Sequence, residues 1–522
     1  MTPQKSASSP ALLFWALLVL AIALGVGLRW FWLDYKFFWE DEVSTALRMA
    51  GYNPLTLAAQ FDPPQLTTVG DLLAYQFPRS DRPLGAVLTN LRTEGTIHTP
   101  LYFVLTHLGG RLGMIGAEPS IALTRSFSAV VSLVTLPCLY GLAQTLFRCH
   151  LTALVAVALM ASSPFHALYA QEARPYSLYL LLTVLSGWAL VVACRRNRPW
   201  LWGAYGLTVM AGLYSFLLYT LVLLAHTVYG CLGWRDGTVF RRFATATLAG
   251  TLALVPWLVA VWPQGQTIAR NTRWQTESIG LTPLERLHLL SLNLTRPFLD
   301  LDWPAGFSLG RWWPYGLAVV AVVALVIYSL VYMVRHAPRP AGLYGLLLVL
   351  GPGLLLAGLD WGVDGSMAQI TRYFAPAYIG CELAVAYWLG HQLRRSPQGL
   401  WSWLTVAIVA LGIVSIGQQV LAPVWWNKNN GYIYAAAQVI NQAPQPLVLG
   451  GDVRLTLALA HHLTPDTALV AFVGGDALPQ LPPGYSDYFL HQVSGEWAQR
   501  YGAATGYRLE PLGDVPIWRI QP

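Results

Sequence analysis

Long apolar runs separated by short polar breaks fill most of this chain. They lie at roughly 11–33, 120–147, 151–168, 176–194, 200–214, 216–233, 244–262, 312–334, 341–360, 373–393 and 400–421. A helix needs about 20 residues to cross a bilayer, so the pattern predicts about eleven membrane-spanning helices. Leu201 to Cys231 could form one long helix or two short spans turning near Tyr214 to Tyr219. Two spans keep Arg235, Arg241 and Arg242 on the same side as the other basic loops, and two are expected. The first run is too long for a cleaved signal peptide, and Arg29-Trp30-Phe31-Trp32 is no small-residue cleavage site. It reads as a retained first span.

Three polar segments interrupt the pattern. The first, about 34–119, has turns at Pro63-Pro64 and Asp81-Arg82-Pro83. Its semi-apolar stretch His98 to Leu112 is short and broken by Gly109-Gly110, so it is expected to lie along the membrane interface. The second, about 263–311, holds Arg270, Arg273, Glu277, Glu285, Arg286, Asp300 and Asp302. The third is the tail, 423–522. There, helical spacing over Tyr432 to Ile440 precedes a buried-strand pattern at Pro446-Leu447-Val448-Leu449-Gly450. A second helix over Leu455 to His462 and a strand at Ala468 to Phe472 follow. This alternation predicts a small α/β domain at 423–522 behind a transmembrane domain at 1–422.

Composition agrees. Of 522 residues, 55% are hydrophobic and 11% charged, against roughly a quarter charged in a soluble domain. The fold class expected is an all-α polytopic membrane protein with a small α/β tail. The net charge of +7 could suggest a nucleic-acid partner, but its placement argues otherwise. Lys5, Arg148, Arg195, Arg196, Arg198, Arg235, Arg241, Arg242, Arg335, Arg339, Arg394 and Arg395 fall on the N-terminal side of the spans, with only Asp236 among them. By the positive-inside rule that side is cytoplasmic, and the three polar segments are extracytoplasmic. The five cysteines lie in or beside apolar spans without CxxC spacing. Neither a disulfide framework nor a cysteine metal site is indicated.

Candidate chemistry gathers on the extracytoplasmic side. Just beyond the first span, an aromatic and charged rim of Arg29, Trp30, Trp32 and Tyr35 leads into Phe37-Phe38-Trp39-Glu40-Asp41-Glu42. Three consecutive acids there could be solvated, could favour the N-terminus of a following helix, or could supply a general base to a lipid-borne substrate. Three more clusters share this face: His98-Thr99-Pro100-Leu101-Tyr102, the stretch from His166 to Tyr176, and Arg372-Tyr373-Phe374. Each has a plain structural reading: an interfacial His, a Glu172–Arg174 pair within a loop, an Arg snorkelling to headgroups. Their convergence on one face, with nothing comparable in the cytoplasmic loops, points to a site. Trp39, Tyr102 and Tyr169 add aromatic surface to these clusters, which an interfacial aromatic belt explains as well.

In this order the motifs resemble the GT-C superfamily of polyprenyl-phosphate-sugar-dependent glycosyltransferases. Within it they are most similar to the protein O-mannosyltransferase-like group, glycosyltransferase family 39 and its bacterial relatives. The resemblance rests on Asp41-Glu42 after the first span and on His98-Thr99-Pro100-Leu101-Tyr102, where Thr99 replaces the usual Pro. It rests also on Gln171-Glu172-Ala173-Arg174-Pro175-Tyr176 and on Arg372-Tyr373-Phe374-Ala375-Pro376. It covers about 11–395 and leaves the tail outside. It implies a GT-C fold in a bacterial plasma membrane, with the active site on the extracytoplasmic face. It implies an inverting enzyme that moves a sugar from a polyprenyl phosphate to an acceptor hydroxyl on protein, lipid or glycan. Asp41 would be the general base, a weak one, so that proton transfer comes late. Glu42 would be its neighbour in orientation or substrate binding. Arg174 and Arg372 would hold the departing phosphate, which suits a guanidinium fork, with Gln171, Glu172, His98, Tyr102 and Tyr373 around the donor. If a divalent ion contributes, Asp41, Glu172 and His98 are its available ligands. The alternative is a transporter or flippase of lipid-linked saccharides, which would favour broken midplane spans and internal repeats; no repeat is evident.

Overall fold

The computed structural model describes residues 9–521 apart from 80, 114–119, 234–235, 276–279, 302–308, 364, 366, 368–369, 397–398, 474–477 and 513–516. Lys5, Arg235, Glu277 and Asp302 therefore lie outside the described residues. The chain divides into two compact units. One comprises Met1–Phe31, Thr96–Tyr102 and Arg125–Leu421; the other comprises Trp32–Gly95, Phe103–Thr124 and Ala422–Pro522.

The first unit is helical, and every apolar run predicted to span the membrane is a helix or a helix pair. Helix α1 covers Ser9–Leu28, and the others include Ile121–Phe147, Tyr176–Arg196, Arg339–Val363, Ala375–Arg395 and Leu400–Leu421. Among the described residues six helices are long and apolar enough to cross a bilayer unaided, or seven if one bent pair counts as a span. The Leu201 to Cys231 stretch is two helices, Pro199–Ser215 and Tyr219–Gly233, parted at an extended Phe216. The chain is a multi-pass integral membrane protein.

The bent pair, His150–Ala161 and Pro164–Ala170, turns by 58°. Pro164 has no N–H to continue the helical ladder, which leaves carbonyls at the end of the first helix without intrahelical donors. Arg29 supplies them. Its guanidinium donates to Met160 O at 2.7 Å, Ala161 O at 2.6 Å, Gly25 O at 2.6 Å and Ser132 Oγ at 3.1 Å. A cation at a helix C-terminus also meets the negative end of its dipole. The rim role expected of Arg29 is thus corrected: Trp30 is exposed, whereas Arg29 is fully buried. Gly25 permits the approach, since a Cβ there would overlap Ala161 O.

Gly187 lets the Tyr176–Arg196 and Arg339–Val363 helices meet, because a Cβ on it would overlap the Tyr344 hydroxyl. Gly187→Ala is expected to destabilise by about 1–3 kcal/mol through overpacking, read as a lower thermal midpoint in detergent. Tyr344→Phe in the same chain should recover part of the loss.

The second unit carries a six-stranded sheet of order β1-β3-β2-β4-β6-β5. The strands are β1 Leu66–Thr68, β2 Pro446–Gly450, β3 Ala468–Val470, β4 Asp487–His491, β5 Arg508–Pro511 and β6 Ile517–Gln521. β2, β3 and β4 are parallel, with Leu447 opposite both Ala468 and Tyr488. Near-continuous apolar runs suit strands covered on both faces, and residues 447–450 and 468–470 are all buried. One face packs on Trp497 and Tyr501 of the Gly495–Thr505 helix. The predicted tail elements appear, with Val453–Ala460 as the second helix, capped by Asp452 accepting from the Arg454 and Leu455 amides. β1 comes from the first polar segment and pairs antiparallel with β3, so part of the 34–119 loop completes the tail's sheet.

Candidate functional site

The predicted site residues fall in both units, and each set has its own geometry. In the second unit, Glu40, Asp41 and Glu42 form the first turn of helix α2, Glu40–Met49. Three acids there favour the positive end of the helix dipole. They are not equivalent. Asp41 is partly exposed and Glu42 is fully buried. Glu42 Oε2 lies 2.7 Å from Lys428 Nζ, and the same ammonium donates to Phe37 O at 2.8 Å. Neither side chain of this pair reaches solvent, a geometry suited to orientation.

Burial raises the Glu40 carboxyl above its ordinary value; Arg454 opposes the shift, while Asp41 and Asp452 add to it. An acid raised in the folded state binds its proton more tightly there than when unfolded. It therefore supports the fold at low pH and loses that contribution as pH rises through the raised value. Glu40→Gln should accordingly melt higher than the parent at neutral pH. The difference should vanish below the ordinary carboxylate range. Thermal midpoints of both proteins across that interval check the sign.

In the first unit the Gln171–Tyr176 turn and the Arg372-Tyr373 segment come together. Glu172, Arg174 and Tyr176 are buried, and Arg372 is partly so. The Arg174 and Arg372 guanidinium carbons lie 5.6 and 5.5 Å from the centroid of one ring, that of Tyr176. Arg372 also faces the Tyr373 ring at 6.0 Å, and Arg174 Nη2 donates to the Tyr176 hydroxyl at 3.2 Å. Tyr169 packs edge-on against Tyr176 at 5.1 Å and interacts electrostatically with Arg372 and Glu172. Two guanidiniums within 6 Å of one aromatic ring, with the buried Glu172 two residues from one of them, make a cationic and aromatic wall. Guanidinium forks suit anionic oxygens, and aromatic rings suit apolar groups.

The other predicted residues have more specific partners. Gln171 Nε2 donates to Leu28 O at 2.8 Å and Phe31 O at 3.0 Å, closing the C-terminal end of α1. The Tyr102 hydroxyl meets Ser128 Oγ at 3.0 Å, and Ser128 in turn reaches Arg174 O at 3.3 Å. Tyr102 thereby supports the Arg174 turn from behind. Gln275 donates to the Tyr373 hydroxyl at 3.2 Å. His98 is partly exposed in the turn before the Leu101–Gly113 helix. Among the described residues no three His, Cys, Asp or Glu side chains are grouped to hold a metal ion.

Two residues that the motifs did not single out form a further charged pair in this unit. Arg296 pairs with Asp300 and interacts electrostatically with Tyr169, Tyr315 and Tyr378, sharing Tyr169 with Arg372. Asp300 is held by Gln419 Nε2 at 2.7 Å and donates its amide to Ser415 Oγ at 3.2 Å. Deeper in the unit, His166 and Glu382 form a buried pair at 3.0 Å, matching the expectation that intramembrane ionisable groups have partners.

Residues 98–262 match the family described as dolichyl-phosphate-mannose-protein mannosyltransferase. No curated protein matches the chain. Among solved structures, ArnT from Cupriavidus metallidurans bound to undecaprenyl phosphate is similar with a TM-score of 0.52 and 13% identity. The similarity covers 99% of this chain and 98% of that one. The oligosaccharyltransferase of Archaeoglobus fulgidus, in complex with zinc and sulfate, is similar with a TM-score of 0.50 and 13% identity. That similarity covers 86% of this chain and 62% of the archaeal one, so the chain spans less than two thirds of that protein's length. The chain shares the fold of that ArnT, and residues 98–262 resemble the dolichyl-phosphate-mannose-protein mannosyltransferase family in sequence.

Proposed function

We propose that this chain is an inverting membrane glycosyltransferase that moves a sugar from a polyprenyl phosphate to an acceptor hydroxyl. The observation that carries the proposal is the pairing of Arg174 and Arg372 on the Tyr176 ring beside buried Glu172. The undecaprenyl phosphate held by the similar ArnT and the mannosyltransferase-like match support the same donor class. In the reaction the acceptor oxygen bonds to the anomeric carbon as the carbon–oxygen bond to phosphate breaks. The lipid phosphate leaves with the electron pair, and Asp41 takes the acceptor's proton. Fixed guanidiniums stabilise the charge gathering on the phosphate, a contribution that grows in a site shielded from water. Glu42 orients Asp41 and does not touch substrate. The site acts at the extracytoplasmic face of a bacterial plasma membrane, with membrane lipids around it and a protein, lipid or glycan acceptor.

The test uses the purified full chain in lipid nanodiscs and in vesicles, given labelled polyprenyl-phosphate sugar and a hydroxyl acceptor. Label on the acceptor supports the transferase. Donor that only changes leaflet identifies a flippase and overturns the proposal.

A further inference from the structure

Helix α2 is anchored at its N-terminal end by the segment that follows the last apolar helix. Phe37 donates its amide to Pro423 O at 2.8 Å, and Phe38 donates its amide to His462 Nε2 at 3.2 Å. The Phe37 ring lies 5.3 Å from His462, and the Phe38 ring 4.4 Å from His461. Within this frame Lys428 spans the start of α2. It holds the carbonyl of Phe37, four residues before Asp41, and the carboxylate of Glu42, the residue after it. All of these groups belong to the second unit.

A buried ion pair is a poor way to gain stability. Desolvation offsets most of its attraction, and an apolar pair of similar size often serves as well or better. What it does supply is direction. An ammonium with three donors, shared between a backbone carbonyl and a carboxylate, fixes both the entry of the chain into α2 and the rotation of its first turn. A reacting group needs such support, since looseness of about 1 Å already removes much of its effect.

We infer that Lys428 is a positioning residue for the proposed transfer: from the tail it locks the first turn of α2 and so sets the direction of Asp41. The inference rests on the transferase reading, and it gives the tail a role in that reaction.

The experiment combines hydrogen exchange with steady-state kinetics on the full chain in nanodiscs. Lys428→Met should speed exchange in peptides covering residues 37–49 by roughly tenfold, while residues 446–450 and 487–491 keep their protection. It should lower kcat by about 10- to 100-fold and change the donor KM by less than about threefold. Lys428→Arg, which keeps the cation, should restore most of both, a recovery that loss of packing alone would not give. Native exchange over 37–49 with unchanged kcat in Lys428→Met overturns the inference. If that variant also loses the sheet's protection, His462→Ala decides, because it removes the acceptor of the Phe38 amide and the ring beside Phe37 while leaving the Lys428–Glu42 pair in place. Faster exchange at 37–39 with reduced kcat supports the inference there, and parental values overturn it. If the parent chain transfers no sugar, the transferase reading has failed, and the exchange measurements still decide whether Lys428 holds α2.

Discussion

Asp41→Asn is expected to lower kcat by about a thousandfold, within the usual range for loss of a general base, while the amount of protein in the membrane stays normal. Asparagine keeps the size and much of the hydrogen bonding of aspartate but cannot take a proton. The backbone contact at this position, Thr45 Oγ donating to Asp41 O at 3.0 Å, does not involve the side chain and should survive. Losing one acid from the first turn of α2 costs about 0.3–1 kcal/mol of dipole interaction, too little to deplete the folded protein. Glu42→Gln provides the contrast. It leaves the buried Lys428 ammonium without its counterion, which typically costs about 3–5 kcal/mol, so stability and turnover should fall together. Transfer rates set against thermal midpoints separate the two residues. Near-parental turnover in Asp41→Asn would remove it as the base.

Much of the transmembrane architecture is legible because each span must satisfy one local rule: enough apolar residues in a row. Even the parting of Leu201 to Cys231 follows from where Arg241 and Arg242 must lie. Residues whose roles depend on distant partners are not legible. Arg29 follows an apolar run and precedes tryptophans, as an interfacial anchor does, yet its partners at 160 and 161 become available only because Pro164 breaks a helix far along the chain. β1 is similar: three residues at 66–68 acquire their strand character from pairing with 468–470, a contact with no local signature. β4 is legible only in retrospect, because Asp487-Tyr488-Phe489-Leu490-His491 mixes polar and apolar residues on faces that the sheet alone defines. The same division holds at the site. Arg174 and Arg372 stand inside recognisable short motifs, whereas Arg296 and Lys428 are single basic residues near helix ends. One gains its meaning from Asp300 and Tyr169, the other from Glu42.

Arg372→Lys tests whether the arginine wall works by geometry or by charge alone. Lysine keeps the positive charge but loses the planar fork that binds phosphate through two parallel N–H groups and that stacks on aromatic rings. The second property is seen directly, since the Arg372 guanidinium faces the Tyr176 and Tyr373 rings at 5.5 and 6.0 Å. In the proposed reaction the negative charge on the phosphate grows as the sugar departs, so a well-placed donor matters more in the transition state than in the bound donor. The expected result for Arg372→Lys is a fall of about a hundredfold in kcat/KM for the donor, near 2.7 kcal/mol at tenfold per 1.36 kcal/mol. Arg372→Ala should fall further, and the loss should lie more in kcat than in KM. Because Arg174 and Arg372 share the Tyr176 ring, the Arg174→Ala, Arg372→Ala double variant should lose less than the Arg174→Ala and Arg372→Ala losses combined. Initial rates over a range of donor concentrations, for the two single variants and the double, measure that coupling. Parental kcat/KM in Arg372→Lys would mean that position 372 needs only a charge, and strict additivity would mean that the two arginines do not act on one phosphate.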